Sequence, residues 1–213
     1  VPAFAIHNTT FASEQFDKDE VTAVIDIGLK RINIVIVQQG VILFARELFL
    51  GEATFNEAIL HEFASEEWDA AKVDQLKNEL NIVRLAIQDN AVVDNLVAKR
   101  MIKVIRPIIE RMHNEIGRSF NYFQEQYERS AIQKIILSGR GAMTEGMPEV
   151  FEKAFNVHTS TSEVQNIFNP GEALDKEDFK KNYLQLVIVL GLALGRTKQI
   201  NFLPPQYTEK KQQ

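Results

Sequence analysis

Three short apolar runs stand close together near the start of the chain. Residues 21–27 are β-branched and almost wholly apolar. Residues 32–37 follow after a polar turn that holds Lys30 and Arg31, and Gly40 then opens 41–50. Short β-branched runs separated by glycine and polar turns predict an antiparallel meander. The unbroken apolar character of the first run predicts a central strand covered on both faces. After Gly51 the period changes. Phe55, Ala58, Ile59 and Phe63 recur at helical spacing, and 69–80 form a second, more polar helical stretch with Ala71, Val73, Leu76 and Leu80. Asn90 is placed to cap a long third helix over 91–127, which Pro107 should kink or divide. Residues 132–137 predict another strand, running into the glycine turn Ser138-Gly139-Arg140-Gly141-Ala142. Glu149, Val150 and Phe151, with Pro148 in the first turn, predict a helix. A short strand over 157–159, a turn at Asn169-Pro170-Gly171 and a last helix over 178–194 complete the pattern, and the polar end 204–213 should fray. Strands, helices, strand, helix, strand, helix is the order of a mixed α/β domain with helices packed on a sheet.

Composition narrows the classes. The chain of 213 residues is 45% hydrophobic and 25% charged, which is ordinary globular usage. A net charge of −5 gives no general attraction for phosphate backbones and disfavours nucleic acid as a partner. No cysteine is present, which removes disulfides, thiolate catalysis and cysteine zinc sites. No run reaches the ~18 apolar residues needed to span a bilayer. The four histidines, His7, His61, His113 and His158, lack metal spacing and read as packing or surface residues. Lys99, Arg100, Lys103, Arg106 and Arg111 alternate with core positions and read as the wet face of one helix, and Trp68 as a packing anchor.

Two segments can carry chemistry. Val24-Ile25-Asp26-Ile27-Gly28, with Asn33 on the next strand, sets a carboxylate at the end of a buried strand beside a glycine turn. Such a turn can bring a carboxylate to a metal and backbone N–H groups to a phosphate, and an ordinary hairpin with glycine at positive φ accounts for the same residues. Leu137 to Ala142 is a second glycine turn after a strand, able to let a purine or ribose approach the backbone or simply to join strand to helix. No phosphate-binding Gly-Lys-Ser/Thr loop and no Gly-x-Ser-x-Gly elbow is present.

Taken together, an Asp-x-Gly hairpin, a helical insert and a strand with a Ser-Gly-x-Gly-Ala turn resemble the second half of an actin-like (ribonuclease H-like) fold. The chain resembles the C-terminal part of the PilM family, the actin-like proteins of type IV pilus assembly, which are similar to the cell-division protein FtsA. The family's second phosphate motif resembles Asp26-Ile27-Gly28 with Asn33, and its continuation resembles Gly40 through Phe44-Ala45-Arg46 to Gly51. Its Glu-Ile-x-Arg-Ser helix resembles Glu115 to Ser119 with Phe120, Tyr122 and Phe123. Its adenosine motif resembles Leu137 to Ala142, and its end resembles Gly191-Leu192-Ala193-Leu194 followed by Ile200 to Pro204. These stand in the family's order over about residues 1–205. The organisation implied is a connecting helix from a truncated first subdomain over 1–20, an actin-like second-half domain over 21–205 with a helical insert at about 52–128, and a flexible tail at 206–213.

The resemblance implies a cytoplasmic adaptor at the inner membrane that grips the cytoplasmic tail of a PilN-like membrane protein. An extended peptide in an apolar groove is the mode of contact expected. It implies ATP and Mg²⁺ as ligands, with Asp26 toward the metal and Gly28, Asn33, Ser138, Gly139 and Gly141 toward the nucleotide. Three departures predict weak or no ATP binding by this chain. The first phosphate loop is missing from the residues before Asp26. Leu29 to Ile32 replace the usual small or hydroxylated residues, and Arg140 stands where a third glycine is usual. A left-handed conformation at Arg140 would cost about 1 kcal/mol or more. The alternatives are an ATP-hydrolysing or phosphotransfer enzyme of the same superfamily and a subunit of a type II secretion platform. The residues 1–11 and 184–194 are more apolar than one buried stripe requires, which predicts an exposed patch covered by a partner or a second copy.

Overall fold

The computed structural model describes residues 2–13, 17, 19–88, 93–127, 131–168 and 175–194. Five strands form one sheet in the order β3-β2-β1-β4-β5. β1 (Thr22–Ile27), β2 (Ile32–Gln38) and β3 (Val41–Leu48) are the antiparallel meander that the apolar runs predict, while β4 (Lys134–Ser138) and β5 (His158–Thr161) extend it in parallel on the other side of β1. All six residues of β1 are buried. Its alternation splits the core in two. Ala23, Ile25 and Ile27 face a large helical layer, whereas Val24 joins Val35, Val37 and Ile136 beneath Ile6 of α1 (Pro2–Ser13).

The large layer lies between β3 and β4: α2 (Glu52–Glu62), α3 (Ala70–Glu79), α4 (Ile82–Ala86) and α5 (Leu96–Gln126). Asp69 caps α3 by accepting from the Lys72 N–H at 2.8 Å. The cap of α5 is Asn95, which accepts from the Ala98 N–H at 3.0 Å, so the cap lies five residues beyond Asn90, itself outside the described residues. Pro107 does not divide α5, which is continuous around it. Pro107 and Lys103, whose carbonyl loses its donor, both face solvent, where water can serve instead. Trp68 stacks on Phe63 with ring centres 4.0 Å apart, and Arg100 lies over the other side of Phe63 while pairing with Glu62 and Glu66. Arg100 is thus a brace between α5 and α2 rather than part of a merely wet face.

After β4 come α6 (Met147–Phe155), α7 (Lys176–Asn182) and α8 (Val187–Ala193). The last helix expected over 178–194 is broken by a 3-10 turn, Tyr183–Leu186. There the Leu184 carbonyl leaves the helical pattern and accepts the Gly139 N–H at 2.9 Å. The apolar helices at the two ends cover one another instead of forming one open patch. Asn8 donates to the Gly191 carbonyl at 3.1 Å and Thr9 to the Val187 carbonyl at 2.6 Å. A Cβ on Gly191 would fall 1.8 Å from the Ala5 oxygen, so only glycine permits this crossing. What stays exposed is Val189, Leu192 and Leu194 of α8 and its end, with Phe4 and Phe11 of α1. The turn at Asn169-Pro170-Gly171 and the segment 200–213 lie outside the described residues.

Candidate functional site

The parallel pairing of β1 with β4 brings the two predicted turns together at one end of the sheet. Asp26 sits opposite Ser138 in the register, and Asn33 of β2 is its neighbour on the other side. Ser138 Oγ donates to Asp26 Oδ1 at 3.2 Å and Asn33 Nδ2 donates to Oδ2 at 3.3 Å. Asp26 is 4% exposed. Burial pushes its carboxyl above the usual value, against the smaller opposing effect of those two donors.

The glycines have different reasons. Gly139 has φ +82°, and a Cβ there would stand 2.6 Å from the Ile27 oxygen and 2.9 Å from Asp26 Oδ1. Gly141 lies against Ile27, whose Cγ2 would be 2.3 Å from an added Cβ. Gly28 does not have positive φ, contrary to the hairpin reading; its N–H closes the turn on the Arg31 carbonyl at 2.9 Å. The carbonyls of Gly28 and Leu29 accept the first N–H groups of α2, from Glu52 and Ala53 at 3.0 and 2.8 Å. Those helix-start donors are therefore already engaged. Arg140 is not left-handed. It opens a 3-10 turn, Arg140–Met143, so the strain considered for a non-glycine residue there does not arise.

Beyond that turn lies a charge cluster that the motifs do not announce. Lys77, 2% exposed, donates to Asn56 Oδ1 at 2.7 Å and contacts Asp74 Oδ1 at 2.9 Å and Glu52 Oε1 at 3.4 Å. Arg140 crosses from the glycine turn to the insert, with Nε 2.8 Å from Glu52 Oε2 and a terminal nitrogen 2.7 Å from Asp74 Oδ2. The Arg140 N–H is not aligned with Glu52 Oε2, so that contact is one of charge. Burial alone would raise the Asp74 carboxyl, but Lys77, Asn56 and Arg140 outweigh it and hold it below the ordinary value. Glu52, Asp74, Lys77 and Arg140, with Asn78, Thr144, Asn182 and Gln185, line a cleft of about 200 Å³. Pockets for drug-sized ligands run to roughly 300–1,000 Å³, so the cleft is smaller than a whole ligand site. Asp26 is not among its walls; the glycine turn separates the two. The only forewarning in the sequence is Asp74 and Lys77 at i, i+3 spacing on one helix.

The Glu-Ile-x-Arg-Ser segment is a clamp. Arg46 of β3 reaches Ser119 Oγ at 3.0 Å and Glu115 Oε2 at 3.3 Å, and Glu115 also pairs with Arg118 at 2.9 Å. The histidines take packing and surface positions: His7 meets the Gly40 carbonyl at 2.8 Å, and His113 packs edge-on to Phe151 and Phe155, burial pushing it down to about 4.

The family model of the type IV pilus assembly protein PilM matches residues 1–197. The chain belongs to the PilM family. A chain of the PilM-PilN type IV pilus biogenesis complex superposes with TM-score 0.68 at 21% identity, over 91% of this chain and 50% of that one. MreB5 of Spiroplasma citri bound to ADP gives 0.59 at 12% identity, over 91% and 58%. Ta0583, an archaeal actin homologue in complex with ADP, gives 0.54 at 15% identity, over 92% and 56%. These likenesses establish the actin-like fold, and the chain spans about half the length of the solved proteins it matches. No curated protein matches it. Among the described residues of this PilM-family chain no helix is long and apolar enough to cross a membrane, and no three His, Asp or Glu side chains gather as a metal site.

Close packing on the Ile27 carbonyl and Asp26 Oδ1 by itself accounts for the glycine at 139, and the acceptors a ligand hydroxyl could reach are the carboxylates of the cleft. Mg²⁺ would find one buried carboxylate, Asp26, with both oxygens already accepting hydrogen bonds. It would need phosphate and water for its other ligands.

Proposed function

We propose that this PilM-family chain is the second-half lobe of a cytoplasmic adaptor of the type IV pilus assembly platform, peripheral to the inner membrane. It works by holding a PilN-like cytoplasmic tail, not by turnover. The observation that carries this is the family match over residues 1–197, joined to a fold shared with a chain of the PilM-PilN complex. The site supports holding over hydrolysis. Asp26 is buried with both oxygens engaged, and the carboxylates of the cleft, Glu52 and Asp74, are paired with Lys77 and Arg140. A nucleotide is then a weakly held ligand that lies along Gly139 and Gly141. Its phosphates point toward Gly28, Asn33 and Ser138, with Mg²⁺ toward Asp26, and its sugar hydroxyls toward Asp74 and Glu52.

Antibodies against this chain should bring down a PilN-like membrane protein from cells, and deletion of that protein's cytoplasmic tail should abolish the capture. The protein recovered should show no steady ATP hydrolysis. Hydrolysis that disappears on Asp26→Asn, without capture of the tail, would replace the adaptor reading by the enzyme.

A further inference from the structure

The guanidinium of Arg140 touches both helices across the cleft, at Glu52 of α2 and Asp74 of α3. Its main chain is pinned. Gly139 lies against the Ile27 carbonyl and Gly141 against the Ile27 side chain, each closer than a Cβ would allow. The side chain is therefore the part of this turn that can move, and it is 47% exposed. The oxygens of the two carboxylates are divided between two cations. Lys77 takes Glu52 Oε1 and Asp74 Oδ1, and Arg140 takes Glu52 Oε2 and Asp74 Oδ2. If Arg140 swings out, Lys77 remains as a buried counter-charge, with Asn56 still donating to Asp74 Oδ1 at 3.0 Å. Two carboxylate oxygens are then free to accept from ligand hydroxyl groups.

We propose that Arg140 is a latch across this cleft, which a ligand must displace from Asp74 and Glu52 to bind. The inference rests on the nucleotide reading of the site above and adds its regulation. The Arg140–Asp74 pair is partly exposed and weakened by salt, and Glu52 keeps Lys77 as a counter-charge when the latch opens. An uncharged nucleoside then binds more tightly as salt rises, the reverse of ordinary phosphate binding. A residue that instead gripped the ligand directly would show the opposite sign on removal.

The test uses the full chain and adenosine, which carries no phosphate to confuse the salt effect. Calorimetric titration of Arg140→Ala should show affinity roughly three- to tenfold tighter than the native chain in low salt. The native value should climb with added salt and the variant's should stay flat. Arg140→Gln, which keeps the length without the charge, should behave like Arg140→Ala and serves if the latter folds poorly. Trp68, the chain's only tryptophan, gives the fluorescence check on the fold. Amide exchange over 139–144 without ligand should quicken in both variants. Equal adenosine binding by native chain and variants overturns the latch and leaves the nucleotide reading standing. Weaker binding by the variants overturns the latch in favour of direct contact. No adenosine binding by any of the three overturns the nucleotide reading, and the latch with it.

Discussion

Two glycine turns at opposite ends of the same sheet share a positive φ and differ in their surroundings. Gly40, between β2 and β3, has φ +73°, and Gly139, after β4, has φ +82°. At the Gly40 end the space beside the glycine is filled by the Phe11 ring, which stacks on His7, and His7 meets the Gly40 carbonyl. At the Gly139 end the space is bounded by the Ile27 carbonyl and the Asp26 carboxylate, and the cleft with its four paired charges lies just beyond. A positive-φ glycine therefore says that the chain turns sharply, not that a ligand binds. The buried polar groups around it mark the candidate site.

The sharpest way to break that comparison is to add one methyl group at each turn. Gly139→Ala forces a side chain to φ +82° and ψ 171°, a region nearly confined to glycine, and drives its Cβ to 2.6 Å from a strand carbonyl that cannot withdraw. We expect a loss of about 3 kcal/mol or more in denaturant unfolding. Gly40→Ala also places a side chain at positive φ, but its Cβ meets the edge of the Phe11 ring at 2.8 Å, and Phe11 is 45% exposed and can swing away. The loss there should be about 1–2 kcal/mol, and Phe11→Leu should recover part of it. Equal losses at the two positions would show that the rigid wall at Gly139 is immaterial.

The same contrast explains what the sequence made legible. The meander was readable because β1 is buried on both faces and so nearly all apolar, and because Gly40 and the turn at Lys30 and Arg31 interrupt it where the strands reverse. The Asp26 and Gly139 turns were readable because each follows a strand, and parallel pairing of those strands joins them. The cap at Asn95 was missed because Asn90 precedes the same apolar series and nothing local distinguishes the two. The five residues of α4 are too few for a helical period to register. The break in the last helix depends on a tertiary bond from Gly139 to Leu184. The charge cluster was hidden for a similar reason. Glu52, Asp74 and Arg140 meet only through the packing of the insert on the glycine turn, and Arg140, marked as a departure from the family's glycine, takes its meaning from partners remote in sequence.

The smallest effect concerns the carboxylate itself. Asp26→Asn keeps the shape of the side chain and removes a charge from a site that burial makes unfavourable for it. Asn33 can turn its amide and Ser138 its hydroxyl to suit the new donor, so the hydrogen bonds need not be lost. The sign of the pH dependence follows from the raised value. Asp26 holds its proton more tightly in the folded chain than in the unfolded one, so its contribution to stability is full below the ordinary aspartate value and is lost as pH rises through the folded value. At low pH the protonated acid and the amide are nearly equivalent, and the two proteins should unfold alike. Toward neutral pH the Asn variant should become the more stable, by on the order of 1 kcal/mol. Unfolding curves taken across that range measure the divergence directly. A native chain that gains on the variant as pH rises would mean that the donors of Asn33 and Ser138 outweigh burial. The polar end of the sheet would then stabilise the fold, as the Phe11 end does, instead of holding a charge at a cost.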